Sequence, residues 1–93
     1  MQNRYSEDGG YIVGYFLSGR TYWIADLWVH PTHRRRHIAT RLMSAVCKHA
    51  DEERVVLRLD PVPDGTIAYC DLCDFYASFG FYLYAGIMER KPK

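Results

Sequence analysis

Apolar residues along the chain fall into short runs whose spacing switches between that of a strand and that of a helix. Asp8-Gly9-Gly10 is a turn signal, followed by Tyr11-Ile12-Val13-Gly14-Tyr15-Phe16-Leu17, a β-branched and aromatic run that stops at Ser18-Gly19. This reads as a strand entered by a hairpin. Thr21 to Val29 reads as a second strand, with Trp23, Ala25, Leu27 and Val29 on one face and Tyr22, Ile24, Asp26 and Trp28 on the other. Both faces are mostly apolar, so this strand is expected inside a sheet covered on both sides, where Asp26 is a conspicuous lone carboxylate.

Pro31 stops that strand. After a basic turn, Ile38, Leu42, Ala45, Val46 and His49 recur at helical spacing and predict an amphipathic helix over Ile38 to Ala50. Val55 to Leu59 alternates again, and Asp60-Pro61 with Pro63-Asp64-Gly65 ends it. Strand, helix and strand in that order imply a right-handed parallel crossover. A second helix is predicted from about Ala68 to Phe79, since Leu72, Phe75, Tyr76 and Phe79 form an i, i+3, i+4, i+7 stripe and Gly80 supplies a stop. Phe81 to Arg90 is β-prone, with a fold-back at Ala85-Gly86. The expected class is α/β (α+β), one domain over residues 1–93 with a mixed, mostly antiparallel sheet and two main helices.

Ninety-three residues allow one modest core, burying about 60% of the surface of the unfolded chain. With 48% hydrophobic, 25% charged and 15% aromatic residues, disordered and fibrous classes are excluded. No apolar run approaches the roughly 20 residues of a membrane-spanning helix. Cys47, Cys70 and Cys73 are an odd number without a signal peptide, which describes no disulfide framework and makes a reducing cytoplasm the expected setting. Cys70-Asp71-Leu72-Cys73 has metal-ligand spacing, but one remote cysteine and no suitably placed histidine pair argue against a closed zinc site, so no metal is expected.

The net charge of +1 conceals a local imbalance, because five of the seven residues from His33 to Ala39 are Arg or His. A basic turn that opens into a helix combines free backbone N–H groups, the positive end of the helix dipole and cationic side chains, which suits a pyrophosphate. On these residues alone, a solvated basic loop and a nucleic-acid patch remain open. The absence of aromatics within the basic stretch weighs against nucleic acid.

Leu27-Trp28-Val29-His30-Pro31 followed by Arg34-Arg35-Arg36-His37-Ile38-Ala39 resembles the acetyl-CoA motif of the GNAT acetyltransferases: a strand, Val-x-Pro, Arg/Gln-x-x-Gly-x-Gly/Ala, then a helix. Phe75-Tyr76-Ala77-Ser78-Phe79-Gly80-Phe81 resembles the family's Phe-Tyr-x-x-x-Gly-Phe signature, and the likeness extends over Gly10 to Arg90. It implies acetyl-CoA as co-substrate, held by the backbone of Leu27 and Val29 between two splayed strands. It also implies that Arg34, Arg35, Arg36, His37, Ile38, Ala39 and Thr40 surround the pyrophosphate. The family's central Gly is His37 here, so its Cβ and imidazole either crowd the phosphates or bond to them.

The implied chemistry is direct attack of a primary amine, on a small molecule or a protein lysine, on the thioester. Tyr76 takes the family's acid position and Asp26 that of an acidic residue near the amine. A phenol of pKa about 10 stays protonated at neutral pH. Neutralising a lysine-like amine at pH 7 costs about 4 to 5 kcal/mol, which Asp26 helps meet by binding the ammonium or relaying its proton through water. On the residues alone, Tyr76 also reads as core and Asp26 as a structural carboxylate. His30 and His33 read as solvated, His49 as packing or capping, and Tyr69 as standing near a family Asn that touches the cofactor arm.

GNAT domains usually begin with a strand and two helices that shape the acceptor side, and only Met1 to Asp8 precede the first strand read here. The acceptor side is therefore expected to be open or completed by another chain. Tyr5, Tyr11, Tyr15, Tyr22, Trp23 and Trp28 lie near it, so a homodimer or a tightly held protein partner is expected. The alternative function is a weakly catalytic or inactive GNAT-like protein, of phage or mobile-element origin, that grips and modulates a target enzyme.

Overall fold

The computed structural model describes residues 1–32, 37–63 and 67–93. Its elements are β1 (Arg4–Glu7), β2 (Gly10–Ser18), β3 (Thr21–Val29), α1 (Ile38–Glu53), β4 (Val56–Leu59), α2 (Tyr69–Ala77), β5 (Tyr82–Tyr84) and β6 (Ile87–Arg90). They form one sheet in the order β1-β2-β3-β4-β6-β5, antiparallel at every step except β3–β4, which is parallel as a crossover through α1 requires. The short β1, part of the segment expected to precede the first strand, pairs with β2 through the Asp8-Gly9 turn. At the other edge Ala85 and Gly86 both have positive φ, 53° and 83°, which matches a two-residue hairpin turn to the twist of β5 and β6.

The core lies between α1 and one face of the sheet. Ile38, Leu42, Met43, Val46, Cys47 and Ala50 of α1 are buried against Ile12, Tyr22, Ile24, Leu57, Leu59 and Met88. Burial of each large side chain here is worth about 1.5–3 kcal/mol. The helix runs three residues beyond the expected Ala50, to Glu53, and its buried stripe is rotated. Ala45 is exposed while Met43 and Cys47 face the sheet, because a sheet face accepts a broader stripe than the i, i+4 series. Arg90 is buried and satisfied, with Nη1 and Nη2 on the Asp51 carboxylate at 2.9 and 3.0 Å and Nε on the Phe79 carbonyl at 2.7 Å, so β6 is tied to α1.

Two expectations about the aromatic residues are corrected. Tyr5 and Tyr22 do not lie on an open face. They are 5% and 0% exposed, Tyr5 sharing a 2.8 Å hydrogen bond with Nδ1 of His49 and Tyr22 donating to the Gln2 carbonyl at 2.6 Å. Nor is β3 covered on both sides. Its α1 face is buried, whereas Ala25, Asp26 and Trp28 are exposed and Trp23 is half-buried. The physical reason is α2, which packs at the β5 end through Tyr76, Phe75, Phe79 and Phe81 in edge-to-face contacts and leaves the β1–β3 portion of that face open. α2 is also shorter than expected, with Ala68 as an extended N-cap and Phe79 in the turn after it; of the predicted stripe only Tyr76 is fully buried.

Candidate functional site

The parallel pairing of β3 with β4 joins only Thr21–Ile24 to Val56–Leu59, while β3 continues to Val29. The two central strands therefore part beyond Ile24. A groove of about 630 Å³ occupies the gap, within the size range of ligand sites, with β3 on one wall and Leu72, Phe75 and Tyr76 of α2 on the other.

The gap opens where β4 ends at Leu59, the partner of Ile24, and there β3 also carries one extra residue. Val13 pairs with Asp26 but Gly14 pairs with Ile24, so Ala25 is a bulge with no partner on β2. Side-chain alternation changes phase there. Tyr22 and Ile24 face α1 before the bulge, and Leu27 and Val29 face it afterwards, opposite Ile12 and Gly10; a Cβ on Gly10 would meet Ile38 at 2.8 Å. Asp26 and Trp28 are turned to the other face with Trp23. The simple alternation of the sequence grouped Asp26 with Tyr22, and the bulge overturns that grouping.

Backbone direction follows from the same register. The His30 N–H bonds to the Gly9 carbonyl at 2.7 Å, so alternation turns the N–H and C=O groups of Leu27 and Val29 away from β2, toward the groove. Ala39 also lines it, bringing in the N-terminus of α1. The first intrahelical bond there runs from the Arg41 N–H to the His37 carbonyl at 3.0 Å, which leaves the amides of Ile38, Ala39 and Thr40 ahead of the helical ladder, and no acidic residue stands in the first turn. His37 is left-handed, φ 57° and ψ 28°, the conformation for which a glycine is the usual residue. Ile38 is buried in the core and Thr40 is exposed. His33, Arg34, Arg35 and Arg36 lie outside the described residues.

Tyr76 and Asp26 open on the same groove. The Tyr76 ring is 6% exposed, yet its hydroxyl has no hydrogen-bond partner among the described residues. No fully buried polar side-chain atom there is left unpaired, so that oxygen opens to the groove. Burial, and secondarily the negative charge of Asp26, push its pKa up to about 12. Asp26 is exposed and accepts a hydrogen bond from the Tyr11 hydroxyl at 3.3 Å. Tyr11 in turn stacks on Trp28, the ring centroids 5.6 Å apart.

The remaining sequence candidates lie elsewhere or are otherwise engaged. Nδ1 of His30 is 2.7 Å from Thr32 Oγ1 and accepts from the Thr32 N–H at 3.2 Å. Tyr69 is exposed, and interaction with the Cys73 side chain pushes its pKa up. Cys47 is buried, which pushes its thiol up to about 11, Cys70 is exposed and Cys73 half-buried. Among the described residues no group of three or more His, Cys, Asp or Glu is placed to share a metal ion. Sequence reasoning missed Asp60 and Asp71, which line the groove, and the coupling of Tyr11 to Asp26 and Trp28. The hairpin register, counted outward from Ser18-Gly19 with the extra residues Leu17 on β2 and Ala25 on β3 offsetting one another, is the signal that pairs Tyr11 with Trp28.

Comparison with curated protein sequences finds no match. Among solved structures, the chain is similar to the anti-CRISPR protein AcrVA5, at 26% identity over 92% of this chain and 94% of that one, TM-score 0.76. Two further structures share the fold. Ard1 from Thermoplasma volcanium is 23% identical, with 91% and 64% of the chains covered and a TM-score of 0.76. PaiA N-acetyltransferase from Thermoplasma acidophilum, solved in complex with coenzyme A, is 19% identical, with 89% and 53% covered and a TM-score of 0.67. The chain thus spans 64% and 53% of the length of those two proteins, and almost all of AcrVA5. A family profile described as "Acetyltransferase (GNAT) family" matches residues 6–81, most of the chain, and the chain belongs to the GNAT acetyltransferase family.

Proposed function

We propose that this chain transfers an acetyl group from acetyl-CoA to a primary amine, with Tyr76 acting at the leaving sulfur and Asp26 receiving the amine. The observation that carries this reading is the convergence of the Tyr76 hydroxyl and the Asp26 carboxylate on one groove, beside the free edge of β3 and the N-terminus of α1. The residues fit the co-substrate. Leu27 and Val29 offer backbone donors and acceptors to an amide-bearing arm, and the first-turn amides of α1, with Arg34, Arg35 and Arg36 beside them in sequence, offer cationic and N–H partners to a pyrophosphate. Acetyl-CoA supplies an acetyl thioester activated for acyl transfer.

Asp26 draws the ammonium to the groove and passes its proton to water, which leaves a neutral nitrogen to attack the carbonyl carbon. The C–N bond forms as the C–S bond breaks. Tyr76, with a pKa pushed up to about 12, is protonated at every physiological pH. Complete release of its proton to a thiolate whose acid has a reference pKa of about 8.5 is uphill by about 5 kcal/mol. Its contribution as the acid is therefore a hydrogen bond to the departing sulfur, which gains the second proton, shed by the nitrogen as the amide forms. Calorimetric titration with acetyl-CoA, for the wild type and His37→Gly, tests the cofactor assignment, and thiol release with an amine panel tests the transfer. Micromolar binding with amine-dependent thiol release is expected, and no binding by either protein would overturn the reading.

A second reading is favoured by one observation, the coverage of 94% of AcrVA5, a protein named for action against CRISPR. On that reading the chain grips a partner protein with little catalysis. Acetyl-CoA binding without transfer to any small amine, combined with a stable complex with a target enzyme, would favour it. We further propose a cytoplasmic setting and a homodimer.

A further inference from the structure

On the open face of the sheet Tyr11 does two things at once. Its hydroxyl holds the Asp26 carboxylate and its ring stacks on Trp28, so carboxylate and indole are fixed side by side. Asp26 and Trp28 are two apart on one strand face, which places their Cα atoms about 7 Å from one another. Both line the groove, and Trp28 is 40% exposed. The Tyr11 ring already carries a cation, the Arg4 guanidinium carbon sitting 4.5 Å from its centroid. The described lining of the groove also includes Asp60 and Asp71 and contains no lysine or arginine.

A positive charge held by a carboxylate and an aromatic face is held protonated, and a protonated nitrogen cannot attack a thioester. A single amine seated on the whole cluster would therefore be kept unreactive. Two nitrogens resolve the conflict, one beside Asp26 and the Tyr76 hydroxyl, where its proton leaves to water, and one resting as a permanent cation on Trp28. We infer that Trp28, braced by Tyr11, is a specificity-determining residue that binds a second, non-reacting cationic group of the acceptor. The preferred acceptor class is a dication whose positive charges lie roughly 7 Å apart, as in a free diamine or two neighbouring basic side chains of a peptide. This rests on the acetyl-transfer reading for the role of the reacting amine.

The test is titration of the acetyl-CoA-free protein, followed by the backbone amide resonances of β3 in NMR. The paired probes are 1,4-diaminobutane against 1-aminobutane, and acetyl-Lys-Lys-amide against acetyl-Lys-Ala-amide. The dication of at least one pair is expected to bind about tenfold more tightly. That ratio should fall below about twofold in Trp28→Leu and be largely restored in Trp28→Phe, since the exposed position tolerates all three side chains and phenylalanine keeps a π face. An advantage seen only with the diamine assigns a small-molecule acceptor, and one seen only with the peptide assigns a protein segment. Equal binding within both pairs, or an advantage that survives Trp28→Leu undiminished, would overturn the subsite. Thiol release separates the two ideas: a Trp28-dependent advantage without transfer sinks the transfer reading alone, and transfer without the advantage sinks the subsite alone.

Discussion

Replacing Tyr76 by phenylalanine removes one oxygen and makes opposite demands on stability and activity. The hydroxyl opens to the groove and bonds to no described residue, so its loss leaves no buried partner unsatisfied, and at pH 7 stability should change by less than about 1 kcal/mol. Activity should fall about 10- to 1,000-fold through loss of the hydrogen bond to the departing sulfur. The alkaline limb carries the sharper test. A phenol whose pKa is raised on folding, from 10.0 to about 12, contributes stability that is whole below pH 10 and drains away as pH rises toward 12. At about pH 11 the unfolded-state ionisation factor is about 11 and the folded one about 1.1, a ratio of about ten, or about 1.4 kcal/mol. Tyr76→Phe lacks that liability. Urea unfolding of the two proteins at pH 7 and at about pH 11 should therefore show the variant gaining about 1.4 kcal/mol on the wild type between the two conditions. An unchanged difference would mean that the phenol is not buried as described, and the account of its protonation would fall with it.

Four further outcomes are expected. His37→Gly should stabilise the fold by up to about 1 kcal/mol, because the left-handed backbone at φ 57° costs a histidine about 1–2 kcal/mol and glycine returns part of that in unfolded-state entropy; thermal melts check it. Gly14→Ala should cost about 3 kcal/mol in urea unfolding, since a Cβ there would lie 2.5 Å from the buried Tyr22 hydroxyl. Arg90→Met should cost about 1–3 kcal/mol at pH 7 by breaking a bidentate ion pair whose guanidinium is buried and whose carboxylate is partly exposed. The Arg90 guanidinium beside Asp51 holds that carboxyl below its usual range, so the pair stabilises above that range, and the deficit of Arg90→Met should shrink as acid titrates Asp51. Past the end of β1, β2 exposes Tyr15, Phe16 and Leu17, about half accessible each, and sedimentation at micromolar concentration should show a dimer; a monodisperse monomer would refute it.

What could be read in advance was whatever depends on local spacing. Both helices, the long hairpin, the parallel crossover and the Ala85-Gly86 turn follow from periodicity and turn chemistry within a dozen residues, and each is present. The Tyr76 stripe also located two aromatics, Phe75 and Tyr76, that pack on the core and line the groove. Less legible was anything set by a partner distant in sequence. Tyr5 and Tyr22 read as open-face aromatics because nothing near them reveals that β1 and α1 close over both rings. β1 itself, four residues paired to a longer neighbour, carries too little pattern to announce a strand.

The bulge at Ala25 is the case where one residue decides both fold and site. With unbroken alternation after Tyr22 and Ile24, Asp26 and Trp28 would turn under α1, and a carboxylate without a partner would enter a core of Ile, Leu and Met at a cost of several kcal/mol. Leu27 and Val29 would lose the cover that Ile12 and α1 give them. The extra residue cures both faults by shifting the phase, and it stands just past Ile24, where β4 ends and the β3–β4 pairing stops. Backbone groups that a regular sheet would spend on a neighbour are thereby left pointing into the groove. The same geometric step that keeps the core apolar thus turns a carboxylate toward that polar edge. At this position the stability of the fold and the chemistry of the groove are one requirement, met by a residue whose own side chain is a single methyl group.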